Sequence, residues 1–166
     1  FNVNVCFNDS LMEHNTAAVC GTWWRADINV DGTPRGYGVY EVDGNQVKWL
    51  YKSAGYPKEH QLHVYQAGSS DEYPSDIIAN VWNWDEQWKV EWYENGKRMG
   101  EMQRYKGYDP AAKAICSDKE KMKYEWISPV LTEHLFHATP RNKNAKIEVK
   151  VTDRFGNVYT EAVENK

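Results

Sequence analysis

Trp88, Val90 and Trp92 alternate with Lys89 and Glu91, and Glu94-Asn95-Gly96-Lys97 follows directly. A period of two places one set of side chains on a buried face and the other towards water, so this run is a strand with one wet face. Asn-Gly supplies the positive φ angles of a two-residue turn whose twist suits the flanking strands. The chain should therefore return along residues 98–103, with Trp92 opposite Met99 and Tyr93 opposite Arg98. Residues 77–102 hold four of the eight Trp in the chain, so whatever fold forms has to pack around this hairpin.

The remaining pattern is also that of strands. Aromatic residues make up 14% of the sequence, and aromatic and β-branched runs favour sheet over helix. Residues 3–7 alternate, with Val3, Val5 and Phe7 on one face. The small apolar residues of 13–21 predict a strand buried on both faces, and 27–38, DINVDGTPRGYG, an ordered surface loop. Residues 37–42 and 46–51 form a second hairpin around Asp43-Gly44-Asn45. Further strands are expected at 61–65, 77–84, 135–138, 146–152 and 157–163. Asp109-Pro110-Ala111-Ala112 has a capping residue and a proline at the first helical position, so a turn or two of helix should start there. Gly55 and Pro57 mark a boundary between a smaller β segment, 1–55, and 56–166. The second part carries about seven short strands, the pattern of an immunoglobulin-like or fibronectin-like β-sandwich. Small barrels give similar patterns.

Charge and motifs narrow the chemistry. A net charge of -4 offers no long-range attraction for nucleic acid, and no apolar run reaches the roughly 20 residues of a membrane-spanning helix. The chain opens on Phe1 in mid-pattern, which reads as the interior of a longer polypeptide. Cys6, Cys20 and Cys116 have no CxxC spacing and read as small apolar residues, with a Cys6 to Cys20 bridge left open. Among the five His, Glu13 and His14 are adjacent on a strand and point to opposite faces, and the same parity separates His60 from His63 and His134 from His137. No complete metal site follows from these spacings. GxSxG and phosphate-binding loop motifs are absent, and no two carboxylates are placed as an acid and base pair.

Trp23-Trp24-Arg25 beside the DGTPRGY loop is the best candidate for recognition. In one arrangement Trp23 and Trp24 offer ring faces to a sugar or base, Arg25 or Arg35 takes a phosphate, and Tyr37 completes the rim. In the other, alternate Trp residues pack inward and Arg25 pairs with Asp27 or Asp31. Trp82 and Trp84, placed on one face of their strand, read as core, as do Trp88 and Trp92.

The blocks AVCGTWW, DGTPRGYGVYEVDG, IIANVWNWDEQWKVEWYENG with GEM, HLFHATP and VTDRFGNVYTE resemble the C-terminal region of bacterial calcineurin-like phosphoesterases. The resemblance spans nearly the whole chain. It implies a catalytic domain in the same polypeptide, where two divalent metal ions activate a water to hydrolyse a phosphate ester. None of that domain's ligand motifs, DxH, GDxxD, GNHD or GHxH, occurs here, so no catalytic or metal-binding residue carries over and no cofactor is implied for this chain. Residues 1–55 would adjoin or complete the phosphoesterase domain, with first strands that pair with it, and 56–166 would be an accessory sandwich without catalysis of its own. A periplasmic or cell-envelope setting is implied as well; the oligomeric state is left open. A carbohydrate-binding sandwich that uses exposed Trp rings is the rival reading.

Overall fold

The structure, a computed structural model, describes residues 1–8, 10–118, 120, 122 and 124–164. It is mainly β. Two hairpins come first, β1 (Val3–Asn8) with β2 (Leu11–Asn15) and β3 (Gly36–Asp43) with β4 (Gln46–Ser53). Eight strands then form two four-stranded antiparallel sheets: β5 (His63–Tyr65), β6 (Ile77–Asn80), β7 (Lys89–Glu94), β8 (Lys97–Glu101), β9 (Gln103–Tyr108), β10 (Leu131–Ala138), β11 (Lys146–Thr152) and β12 (Val158–Glu164). One sheet has the order β5-β6-β10-β9 and the other β12-β11-β7-β8. The helix α1 (Pro110–Ser117) follows β9, and its capping residue Asp109 accepts a hydrogen bond from the Ala112 N–H. Among the described residues no helix is long and apolar enough to cross a membrane.

Alternation sets the register of the second sheet. Ile147, Val149 and Val151 on β11 are completely buried, and they lie opposite Glu94, Trp92 and Val90 of β7. A slip of one residue would turn all three to solvent, at about 2 kcal/mol each. That is comparable to the whole net stability of a domain, so the register is strongly specified. The core between the sheets includes Ile77, Ala79, Trp88, Trp92 and Phe136. On β6 all four residues are buried, because Ile78 packs on the far side of its sheet with Leu135 and Tyr105.

Several expectations need correction. Trp92 lies opposite Gly100, not Met99, because a bulge between Trp92 and Tyr93 inserts one residue; Gly100 takes φ 135, while Tyr93 does face Arg98. The returning segment is two strands. Buried Met102, whose N–H donates to the Val90 carbonyl at 2.9 Å, carries the chain from β8 in one sheet to β9 in the other. β6 ends at Asn80, so Trp82 and Trp84 share no strand face: Trp82 joins Ala17 and Tyr51 in a separate cluster, and Trp84 packs on the sandwich core.

The first hairpins differ most from expectation. Residues 13–21 are not a doubly buried strand; β2 stops at Asn15 and turns follow, with Gly21 at φ 60 where a Cβ would meet the Ala26 carbonyl oxygen at 2.2 Å. The 27–38 loop is ordered but largely interior, with Asn29, Asp31 and Thr33 buried. Val3, Val5 and Phe7 do share a face of β1, but that face is the exposed one.

Candidate functional site

A buried polar network holds the 27–38 loop against the sandwich. Asp31 accepts from the backbone N–H of Asn2 at 2.6 Å and from the Thr33 hydroxyl at 2.9 Å, and its carboxylate lies 3.4 Å from His134 Nε2. The other ring nitrogen of His134 is 2.7 Å from Asn80 Oδ1, and Asn80 donates through Nδ2 to Asp109 at 2.8 Å. Asp109 also accepts from the Tyr65 hydroxyl at 2.9 Å. Burial pushes the Asp31 carboxyl up, but the hydrogen bond and charge of His134 and the Asn2 N–H lower it to about 2. At Asp109 burial wins, and its carboxyl is raised despite its three donors. These groups face one another and the protein. Among the described residues no three His, Cys, Asp or Glu side chains are grouped so as to hold a metal ion.

His137 forms the second Asp–His pair, 2.7 Å from Asp76, with Tyr73 stacked on its ring at a centroid distance of 3.8 Å. Thr139 donates to the other Asp76 oxygen at 2.7 Å. Both oxygens of Asp76 are thus engaged in pinning the loop before β6 to the end of β10. His134 and His137 do point to separate sites. The three cysteines are free thiols, so no bridge joins Cys6 and Cys20.

The accessible aromatic surface lies at the turn after β2. Gly21, Trp23 and Trp24 all have positive φ, and this turn lifts both rings out of the fold: Trp23 is 53% and Trp24 79% exposed. The inward-packed arrangement is therefore not adopted. Trp23 meets Trp126, itself 61% exposed, edge-on at 5.0 Å between ring centroids. Arg25 lies over the Tyr124 ring at 5.7 Å, and Tyr124 is tilted against Trp126 at 5.6 Å. Arg25 thus sits against an aromatic face, and it is Arg35 that pairs with Asp27, at 3.3 Å on the surface. Tyr37 is half exposed on β3 opposite Lys52.

The structure therefore brings Trp23 and Arg25 together with two residues that sequence reasoning missed, Tyr124 and Trp126. Trp126 stands outside every hairpin, and that isolation was the one available signal. The rim can stack on an apolar or aromatic ligand face and present one guanidinium to an anion. It is not a flat platform, since the Trp23 and Trp126 planes are 84° apart. Trp82, Trp88 and Trp92 are buried and take no part.

No curated protein and no solved structure matches the chain. A family model does, over residues 13–159, from β2 to the start of β12, and on that match the chain belongs to the family described as the C terminal of calcineurin-like phosphoesterase.

Proposed function

We propose that this chain is an accessory domain without catalysis of its own, which packs on the phosphoesterase domain of its polypeptide and presents the Trp23, Trp24 and Arg25 turn at the substrate entrance. The observation that carries this reading is the exposed rim itself. Two Trp rings, Trp23 and Trp126, and Tyr124, drawn from segments about a hundred residues apart in sequence, are gathered beside the Arg25 guanidinium on a domain of this family. Exposed aromatic rings lose little conformational entropy on binding and contribute large contact area. Hydrolysis belongs, in this reading, to two divalent metals in the phosphoesterase domain. Arg35 and Tyr37, on the adjacent loop and β3, form the outer part of the same surface. Residues 1–55 form the segment that adjoins the phosphoesterase domain, and 56–166 the appended sandwich. That sandwich is of the immunoglobulin-like kind, a reading supported by strand orders that follow the A-B-E-D and G-F-C sheets with one strand added beside C.

The test compares the polypeptide carrying its phosphoesterase domain with its Trp23→Ala and Trp126→Ala forms, and with the 166-residue chain alone. Loss of the rings should raise KM for a bulky phosphate ester with kcat unchanged, and leave a small aryl phosphate unaffected. Turnover of an aryl phosphate by the isolated chain with manganese would overturn the accessory reading. Unchanged KM for every ester would remove the rim from the entrance.

A further inference from the structure

Strand β1 is turned the opposite way to an ordinary surface strand. Its polar face points inward: the Asn2 side chain donates to the Trp82 carbonyl, and Asn4 donates to the Asn83 carbonyl at 2.8 Å. Its apolar face points outward, with Val3, Val5 and Phe7 exposed, and Leu11 of β2 exposed beside them. Apolar residues scattered singly on a surface need no account, but a whole strand face does.

The free edge of β1 is also open. β2 occupies one edge, and no other strand of the described residues pairs with β1. A cleft of about 400 Å³ lies along it, lined by every residue from Phe1 to Cys6 on one side and from Val130 to His134 on the other. Consecutive residues point to opposite faces of a strand, so a cleft that touches all of them runs along an edge. Behind the cleft wall is an orphan polar atom. Thr132 is 4% exposed, and its hydroxyl has no hydrogen-bond partner among the described residues. Arg104, stacked over Trp84 at 4.2 Å, and Lys106 stand at the rim, both paired with Glu133.

We infer that the free edge and outward face of β1 form the docking surface for the phosphoesterase domain of the same polypeptide, which lays an extended strand beside residues 1–6. An unpaired strand edge is a template for main-chain pairing, and strand addition satisfies its N–H and C=O groups while apolar side chains cover the exposed face. The occupant follows from position. The family match begins at residue 13, so β1 lies on the N-terminal side of the matched region, where the phosphoesterase domain joins it. Tethering raises the effective concentration to about millimolar, so one added strand suffices where a separate partner would need a larger interface. The inference rests on the accessory reading above and locates its contact.

Amide hydrogen exchange tests it, in the 166-residue chain and in the polypeptide carrying the phosphoesterase domain. With that domain attached, exchange at residues 3–6 and 131–134 should slow by about tenfold or more. Leu131→Arg, at a half-exposed position on the cleft wall, should leave the melting temperature of the isolated chain unchanged and abolish the slowing at 3–6. Slowing confined to other segments, such as the Trp23 turn, would overturn this surface while leaving the accessory reading intact. No slowing anywhere would overturn both. Slowing at β1 in the isolated chain that grows with concentration would assign the edge to a second copy and also overturn the inference.

Discussion

Arg154 Nε lies 2.8 Å from Asp85 Oδ2, and the same guanidinium reaches Met12 Sδ at 3.1 Å and Cys6 Sγ at 3.4 Å. One side chain in the turn between β11 and β12 thereby joins the sandwich to both strands of the first hairpin. It also lies over the Trp49 ring of β4, 4.9 Å from its centroid. Asp85 is wholly buried, and this guanidinium is the cation paired with it. Arg154→Met should destabilise the chain by about 3–5 kcal/mol, because it leaves a buried carboxylate unpaired. Arg154→Lys should recover only part, since an ammonium cannot reproduce the planar fork. Urea unfolding of both variants, with Asp85→Asn to close a double-mutant cycle, reads the coupling directly.

Asp31 makes stability depend on acid. Its carboxyl is held at about 2 in the fold against an ordinary value of 3.8. The stabilisation is therefore complete above 3.8 and lost as the pH falls towards 2. Asp31→Asn should remove that acid-dependent component and cost about 2–3 kcal/mol at neutral pH, the contribution of hydrogen bonds to a charged acceptor. Unfolding curves across the acid range check both.

The His63 and Glu161 pair acts in the other direction. The hydrogen bond that His63 Nδ1 donates to Glu161 Oε1, at 2.9 Å, raises the imidazole above its ordinary value against the effect of burial. Stability from this pair is fully present below that ordinary value and disappears as the pH rises through the raised one. Glu161→Gln should shift the His63 titration midpoint down in an NMR titration, and the two proteins should converge in stability at alkaline pH.

Gly32 has φ +82, and a Cβ there would lie 2.1 Å from the Asp109 carboxyl carbon. Gly32→Ala should cost at least about 2 kcal/mol, from backbone strain and displacement of the helix cap together. A Gly44→Ala control, also at positive φ but with nothing within 4 Å, should cost less. Thermal melts of the two separate the steric part from the backbone part.

Much of the sandwich was legible in the residues. Period-two alternation marked β7, β11 and β12, Asn95-Gly96 marked the turn, and Asp109-Pro110 marked the start of α1. The bulge that puts Gly100 opposite Trp92 was not legible, because a Gly in a strand is compatible with either register. Nor was the crossing at Met102, since one apolar residue between two strands looks the same whether the chain continues in its sheet or leaves it. At the candidate site, Trp23, Trp24 and Arg25 were conspicuous, whereas Tyr124 and Trp126 had no local pattern to connect them to that turn.

Local chemistry alone determined that this chain is built of short antiparallel strands with aromatic side chains at its centre, because side-chain period and turn residues act within a few positions. Tertiary structure decided which faces are inside. The alternation of β1 specifies two faces and says nothing about which one the rest of the fold will cover. Here the Asn2 and Asn4 side chains find backbone carbonyls in the 82–84 segment, and those hydrogen bonds turn Val3, Val5 and Phe7 outward. Asp31, conspicuous in the sequence only as part of a polar loop, became an interior residue because His134 and the Asn2 N–H converge on it from positions far apart in the chain, beside its loop neighbour Thr33. Burial depends on the sum of such distant contacts, and only the assembled fold contains that sum.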